Sequence, residues 1–407
     1  MMAKSFASAS KENKVTTVAG DDIRSITISK PLESDTYQKM VNESSEEQTV
    51  RAQTSTQDDV TSCFNGTHEV QECLKGQCEA DLHTHLANCK KNPGHTGFIP
   101  VKKFRKEHLP PGYQDSDVYD VINAQSYVTV RIAVKFTSKN RPEFELGTKR
   151  PYPCYKTRGK KLMRTGTGKI AAVKKNSDDS DEPCPCPECK HSTKPKKKWF
   201  KVWVQTARHV IFDSEEARQS RCRLWFDDDQ SPVVNIYGWR AGGISHTGQD
   251  WCILFCVTHE PEIAEKLLNV IRRYSEIWGK VNSKYISSRD VDKLTIIVSH
   301  PHGCSKLVSV GHWVDREPVG SYTRYTYTTC TCPGSSGAGV YKLEWTDHPH
   351  SGAHANGFNY SAAMSDLDFS FTGEDLELKR QLENNNFFEM CDSILASTDD
   401  SLQYRIK

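Results

Sequence analysis

Cys332-Pro333-Gly334-Ser335-Ser336-Gly337-Ala338-Gly339 is a turn of small residues with a serine at its centre. Glycines around a serine let backbone N–H groups approach a bound carbonyl that side chains would otherwise block. Alone, such a loop is common and decides little. Two stretches upstream give it meaning. Gln205-Thr206-Ala207-Arg208-His209-Val210 follows the strand-like run 199–204, and Asp250-Trp251-Cys252-Ile253-Leu254-Phe255 is an acid opening an apolar strand. A neutral hydroxyl is a weak nucleophile unless a base stands within hydrogen-bond reach and a third group orients that base. His209, Asp250 and Ser336 are candidates for base, orienting group and nucleophile, with the N–H groups of Gly334 and Ser336 as the candidate oxyanion hole.

The surrounding chain reads as mostly β. Short alternating or β-branched runs predict strands at 126–137, after the turn Gly166-Thr167-Gly168, and at 201–204, 222–227, 233–237, 250–257, 293–299, 306–310, 322–329, 339–344 and 355–360. One segment breaks that period. Ile263, Leu267, Leu268, Ile271, Tyr274 and Trp278 recur at helical spacing behind Pro261, which predicts a helix over 260–278. Many short strands divided by one helical insertion suggest two β-barrels and a connector. The expected boundaries are a first barrel at about 126–258, a connector at 259–280 and a second barrel at about 291–364, together one domain over 116–364. Residues 1–60 are polar and read as disordered. Residues 61–115 contain several cysteines and histidines but give no fold signal, and 365–407 form an acidic polar tail with a weak helical stretch at 374–385.

Composition narrows the function classes. The 407 residues carry a formal net charge of +2, so no global field points to nucleic acid. No apolar run of 18 residues occurs, so no membrane span is expected. Residues 1–10 lack the apolar centre of a secretory leader, which makes an intracellular, most simply cytoplasmic, setting the expectation. The odd count of 15 cysteines then fits reduced thiols better than a disulfide framework. Asn65-Gly66-Thr67 and Asn359-Tyr360-Ser361 match the glycosylation pattern by chance on this reading.

From about residue 118 to 364 the chain resembles the chymotrypsin/trypsin-like serine peptidases. Thr206-Ala207-Arg208-His209-Val210 is similar to the family's histidine motif, Gln249-Asp250-Trp251-Cys252-Ile253-Leu254 to its aspartate strand, and Gly334-Ser335-Ser336-Gly337-Ala338 to its serine box. Gly166-Thr167-Gly168 and Ser299-His300-Pro301-His302-Gly303 resemble turns early in its first and second barrels. The separations, 41 positions from His209 to Asp250 and 86 from Asp250 to Ser336, suit one barrel carrying His and Asp and another carrying Ser. The resemblance implies two six-stranded antiparallel β-barrels, a protein or peptide substrate, and an acyl-enzyme mechanism that requires no cofactor. Ser335 departs from the family, standing where secreted members carry an aspartate that pairs with a new N-terminal ammonium; that activation route is not expected here. Gly339 replaces the usual proline. Thr331 with His350, Ser351 and Gly352 resembles the specificity pocket of glutamyl-specific members, which implies cleavage after Glu or Gln.

Cys184-Pro185-Cys186-Pro187-Glu188-Cys189-Lys190-His191 packs three thiols and an imidazole into eight residues. It can be a structural zinc site with Cys184, Cys186, Cys189 and either His191 or a distant thiol such as Cys222, or an irregular reduced loop. Cys73, Cys78, His83, His85 and Cys89 form a second, looser cluster, and Lys194-Pro195-Lys196-Lys197-Lys198 reads as a solvated loop edge before a nuclear signal. Two rival functions stand beside the peptidase: a catalytically inactive barrel pair that binds proteins, and a zinc-dependent adaptor.

Overall fold

The computed structural model describes residues 66–73, 79–176, 182–242, 250–288, 291–319, 322–343, 345–354 and 356–361. The first strands are very short: β1 (Gly66–His68), β2 (Gln71–Glu72) and β3 (Ile99–Pro100). Six longer strands follow: β4 (Thr129–Val134), β5 (Arg164–Lys175), β6 (Phe200–Thr206), β7 (Ser220–Leu224), β8 (Val234–Gly242) and β9 (Cys252–Thr258). They run β5-β4-β7-β8-β9-β6 and close by the pairing of β5 with β6. The second set is β10 (Leu294–Ser299), β11 (Leu307–Val319), β12 (Tyr322–Tyr327), β13 (Gly339–Lys342), β14 (Trp345–His354) and β15 (Asn359–Ser361). It runs β14-β13-β10-β11-β12-β15 and closes by β14 on β15. The result is two closed six-stranded antiparallel β-barrels. Closure pairs every main-chain edge inside each barrel, which an open sheet cannot do.

One apolar core runs through both barrels. Val130, Ile132, Val204 and Leu254 from the first are buried in the same cluster as Ile296, Val298 and Val308 from the second. Each such side chain contributes roughly 1.5–3 kcal/mol on leaving water. The expected helix extends further than its clearest periodicity, over Pro261–Tyr285, and buries Ala264, Leu267, Tyr274 and Val281.

It packs on a helix that the strand reading hid, Ser116–Val128. That helix begins at Asp115, whose side chain accepts from Asp117 N at 2.7 Å, and buries Val118, Val121, Ile122 and Gln125. The expected strand at 126–137 therefore starts only at Thr129. The 118, 121, 122, 125 stripe was present in the sequence, and its burial outweighs the β-favouring Tyr127-Val128 at its end. The second correction is β14. The expected strand at 355–360 is only the short β15, while the long strand is Trp345–His354, which no β-propensity marks because it carries Pro349 and three histidines.

Residues 66–73 and 79–115, part of the stretch without a fold signal, form short pieces including a six-residue helix, Leu82–Ala87. β3 adds to β11, pairing Ile99 with Val308. Pieces of two to six residues are too short to show a period. The expected disorder of 1–60 and the helical stretch at 374–385 lie outside the described residues. Among the described residues no helix is long and apolar enough to cross a membrane.

Candidate active site

His209 lies in the turn that follows β6, and buried charge fixes that turn. Glu216 bridges Arg141, at 2.6 Å to Nε, and Arg164. The two guanidinium groups reach on to main-chain oxygens of the turn: Arg141 Nη2 donates to His209 O at 2.9 Å and Arg164 Nε to Val210 O at 3.3 Å. Glu216 also accepts from the N–H groups of Ser138 and Phe212, both at 2.9 Å. Burial pushes its carboxyl up, but Arg164 and Arg141 outweigh that and hold it down at about 2. None of these three residues carried a sequence signal, because they meet only through tertiary contact.

Asp250, just before β9, holds His209 twice. Its Oδ1 accepts from the His209 N–H at 2.8 Å, and its Oδ2 lies 2.6 Å from His209 Nδ1. A carboxylate only accepts, so Nδ1 carries the proton and Nε2 faces away with its lone pair. Ser351 Oγ, on β14, also donates to Asp250 Oδ2. Burial pushes the Asp250 carboxyl up, but the adjoining His209 and His68 rings and the hydrogen bonds from His209 and Ser351 prevail, holding it well below the usual carboxylate range.

Ser336 reaches the same place from the second barrel. Gly334 and Gly337 on either side have φ of +97° and +87°. A Cβ on Gly337 would stand 2.1 Å from Thr206 Oγ1, so only glycine lets this loop close against the first barrel. Thr167 N donates to Ser336 O at 2.8 Å, which ties the loop carrying Ser336 to β5. Among the described residues, the N–H groups of Ser335 and Gly337 are engaged, on Cys332 O and His350 O at 2.8 Å each, whereas those of Gly334 and Ser336 make no hydrogen bond. Ser335 is fully buried and satisfied by neutral groups: Ser299 Oγ at 3.1 Å and Cys332 N at 3.3 Å.

The chain itself fills the cleft between these groups. Ser336 Oγ donates to Glu69 O at 2.5 Å, and His209 Nε2 lies 3.3 Å from the same oxygen. His209 and Ser336 thus meet on one carbonyl rather than on each other. The Glu69 carboxylate enters a pocket lined by Thr331 Oγ1 at 3.0 Å, His350 Nε2 at 3.2 Å and Lys91 Nζ at 2.7 Å. Tyr327 OH sits 2.7 Å from His350 Nδ1. With Nδ1 accepting from the phenol, a neutral His350 presents Nε2–H to the carboxylate. Burial pushes the Glu69 carboxyl up, while the His350 hydrogen bond and the Lys91 ammonium bring it down to about 2.

Of the residues expected in this pocket, Thr331 and His350 touch the carboxylate. Ser351 instead serves Asp250, and Gly352 lets β1 approach, since a Cβ there would stand 2.2 Å from Thr67 O. Lys91 and Asn359 were missed. Asn359 Oδ1 lies 2.7 Å from Lys91 Nζ and 2.8 Å from Thr331 Oγ1, and its burial removes it as a glycosylation acceptor.

The fold is a pair of closed six-stranded antiparallel β-barrels, the architecture that the resemblance to trypsin-like peptidases implied. No family model matches the sequence, and no curated protein matches it. Solved structures similar to it include the active form of the Rv3671c protease from M. tuberculosis, with a TM-score of 0.31 and 12% identity over 61% of this chain and 80% of that one. Another is the HtrA-type protease AlgW with tripeptide, at 0.32 and 10% over 67% of this chain and 65% of that one. A third is the serine endoprotease from Yersinia pestis, at 0.31 and 9% over 63% and 64%. All three are proteases.

Two clusters of possible metal ligands lie beside the double barrel's cleft residues or on its flank. Cys184, Cys186 and Cys189 come together with His259, all ligand atoms within 4.8 Å of one another. His191 is exposed and outside this group, and Cys222 instead faces Cys256 in the first barrel, sulfur to sulfur at 3.6 Å. The looser cluster disperses: Cys89 joins His95, His302 and Cys332, Cys73 packs against Leu82 and Cys304, and Cys78 lies outside the described residues. His259 was unmarked in the sequence because it stands 70 positions beyond Cys189.

Proposed function

We propose that this chain is a serine endopeptidase that cleaves after glutamate, with Ser336 as nucleophile, His209 as general base and then general acid, and Asp250 as its orienting carboxylate. The observation that carries this reading is the single carbonyl, Glu69 O, that Ser336 Oγ and His209 Nε2 both contact while the attached carboxylate sits among Thr331, His350 and Lys91. In the reaction Ser336 Oγ adds to a substrate carbonyl as its proton passes to His209 Nε2. The imidazolium is stabilised by Asp250 and gives that proton to the leaving amine. Water then hydrolyses the acyl ester with His209 again as base. The Gly334 and Ser336 N–H groups receive the developing oxyanion, and each such donor is worth about 2.7–4 kcal/mol of barrier.

The pocket supports Glu over Gln. Lys91 offers a full positive charge, and charge-assisted hydrogen bonds are roughly twice as strong as neutral ones. Labelling with a fluorophosphonate tests the nucleophile: wild-type protein takes the label and Ser336→Ala does not. A peptide library tests the pocket, with cleavage expected after Glu. A profile dominated by Arg or large apolar residues would refute the specificity, and folded wild-type protein that never labels would favour an inactive binding module.

We also infer a structural zinc at Cys184, Cys186, Cys189 and His259. The Cys186 and Cys189 sulfurs lie 3.5 and 3.7 Å from His259 Nδ1. Tetrahedral zinc, with Zn–S of about 2.3 Å and Zn–N of about 2.0–2.1 Å, sets ligand atoms about 3.5–3.8 Å apart. On the other side of the ring, His259 Nε2 meets Glu260 Oε1 at 3.1 Å, a carboxylate that fixes the tautomer leaving Nδ1 toward the thiols. Metal analysis of the purified chain tests this; His259→Ala should lower zinc content, and no zinc above background would remove the site.

A further inference from the structure

Residues 66–73 lie across the cleft as an extended strand that belongs to neither barrel. On one side β1 runs antiparallel to β14, pairing Gly66 with His354, Thr67 with Ala353 and His68 with Gly352. On the other side β2 runs antiparallel to β5, pairing Gln71 with Thr165 and Glu72 with Arg164. Glu69 and Val70 are the two residues between the pairings, held by opposite barrels at the point where Ser336 and His209 meet. The fit continues in the side chains. The His68 ring stacks on His209 with centroids 4.7 Å apart, and Gln71 Oε1 lies 2.8 Å from His302 Nδ1. A segment anchored on both barrels, with its carboxylate in the pocket and its carbonyl on the nucleophile, lies as a substrate would.

We propose that the peptide bond between Glu69 and Val70 is a self-cleavage site. The proposal rests on the peptidase reading above and adds its first substrate, this chain. Before attack the Glu69 carbonyl oxygen must leave the Ser336 hydroxyl for the unused N–H groups of Gly334 and Ser336, a rotation of that one peptide. Ser336 Oγ then bonds to the Glu69 carbonyl carbon and its proton moves to His209. The carbon–nitrogen bond to Val70 breaks, and the proton goes to the new Val70 amine. One water releases the Glu69 α-carboxylate and restores Ser336. Until then the strand excludes other peptides from the cleft.

The test uses the full chain, followed by intact mass and N-terminal sequencing. Wild type should yield a fragment beginning at Val70, at a first-order rate unchanged over a hundredfold range of protein concentration; Ser336→Ala should stay whole. Glu69→Ala and Val70→Pro should each keep the chain whole at 69–70, with an unchanged melting temperature showing that the uncut variants remain folded. A wild-type chain that labels and hydrolyses the peptide yet stays joined at 69–70 overturns self-cleavage and leaves the peptidase standing. Cleavage that ignores both substitutions overturns it too. A folded chain that neither labels nor hydrolyses any peptide overturns the peptidase reading itself.

A separate set of contacts carries a second proposal. Cys89 and Cys332 face each other with sulfurs 3.6 Å apart, and Cys332 Sγ is 3.5 Å from His95 Nε2. His302 completes the group, all four ligand atoms lying within 4.8 Å of one another. Its Nδ1 is engaged by Gln71 Oε1, while its buried Nε2 has no hydrogen-bond partner. Gln71 Oε1 can only accept, so Nδ1 holds the proton and Nε2 turns a bare lone pair toward the two sulfurs. Asn92 adds donors to both sulfurs, its N–H to Cys89 at 3.4 Å and its Nδ2 to Cys332 at 3.1 Å, which suits thiolates.

The geometry points to a Cys2His2 zinc site that staples the segment carrying Lys91 to the loop carrying Ser336. Zinc measured by mass spectrometry should fall by one ion per chain in Cys89→Ser and in His302→Ala, with the ion at Cys184, Cys186 and Cys189 retained. Cobalt added to metal-free protein should give two sets of visible absorption bands, one lost in either variant. Unchanged zinc and cobalt spectra in both variants would overturn the site.

Discussion

At the scale of single residues the site depends on which atom holds which proton. Asp250 keeps the His209 proton on Nδ1, and Asp250→Asn can hold the ring in the wrong tautomer with little change of shape. Peptide hydrolysis in that variant should fall by about 10³–10⁴ in kcat, checked by steady-state kinetics against unchanged thermal stability. In the pocket, Lys91 supplies the only ammonium within reach of the Glu69 carboxylate among the described residues. Lys91→Met should therefore lower kcat/KM for glutamyl peptides by about 10–100-fold while leaving glutaminyl peptides less affected, because a charged hydrogen bond contributes about 1.5–3 kcal/mol. Equal losses on the two substrates would show that Lys91 holds the fold rather than reads charge.

At the scale of elements, the His209 turn is held by a buried ion cluster as well as by the apolar packing of Ala207, Val210 and Ile211. Glu216 is completely buried between Arg141 and Arg164. Glu216→Gln removes the anion and leaves two buried cations facing each other, which should cost about 3–5 kcal/mol in denaturant unfolding. The pH dependence follows from the same contacts. The Glu216 carboxyl is held down at about 2 in the folded chain, below its ordinary 4.5. Its contribution is therefore fully present above about pH 4.5 and is lost as pH falls from there toward 2. Unfolding measured across that window should show wild type losing stability more steeply than Glu216→Gln; parallel curves would mean that the cluster does not couple folding to protons.

At the scale of the whole molecule, the catalytic candidates come from different bodies and are joined by the N-terminal part of the chain. His209 and Asp250 belong to the first barrel and Ser336 to the second, while residues 66–73 bridge both and residues 89–95 supply a pocket cation and two of the proposed metal ligands. Removing metal should loosen this assembly. Chelation with a strong zinc ligand should lower the melting temperature and slow hydrolysis of glutamyl peptides, and added zinc should restore both, read by calorimetry and kinetics. Full activity and an unchanged melting temperature in protein shown to be metal-free would rule out a structural role for zinc.

Much of this was legible in the sequence because local chemistry marked it. The serine turn had to be glycine-rich for its backbone to close against the first barrel, the helix behind Pro261 had to show its apolar stripe, and most barrel strands had to alternate. β14 was not legible, since Pro349 and its histidines carry no strand preference and only barrel closure makes them extended. Nor was the occupant of the cleft. Nothing about Gly66 to Cys73 as a string of letters places Glu69 on Ser336, because that meeting spans 267 positions and arises from pairing with two separate sheets. Chain-local preferences alone determined which residues are suited to the chemistry. Burial and long-range pairing decided which of them stand together, because proton transfer and metal ligation depend on ångström distances that neighbours in sequence do not set.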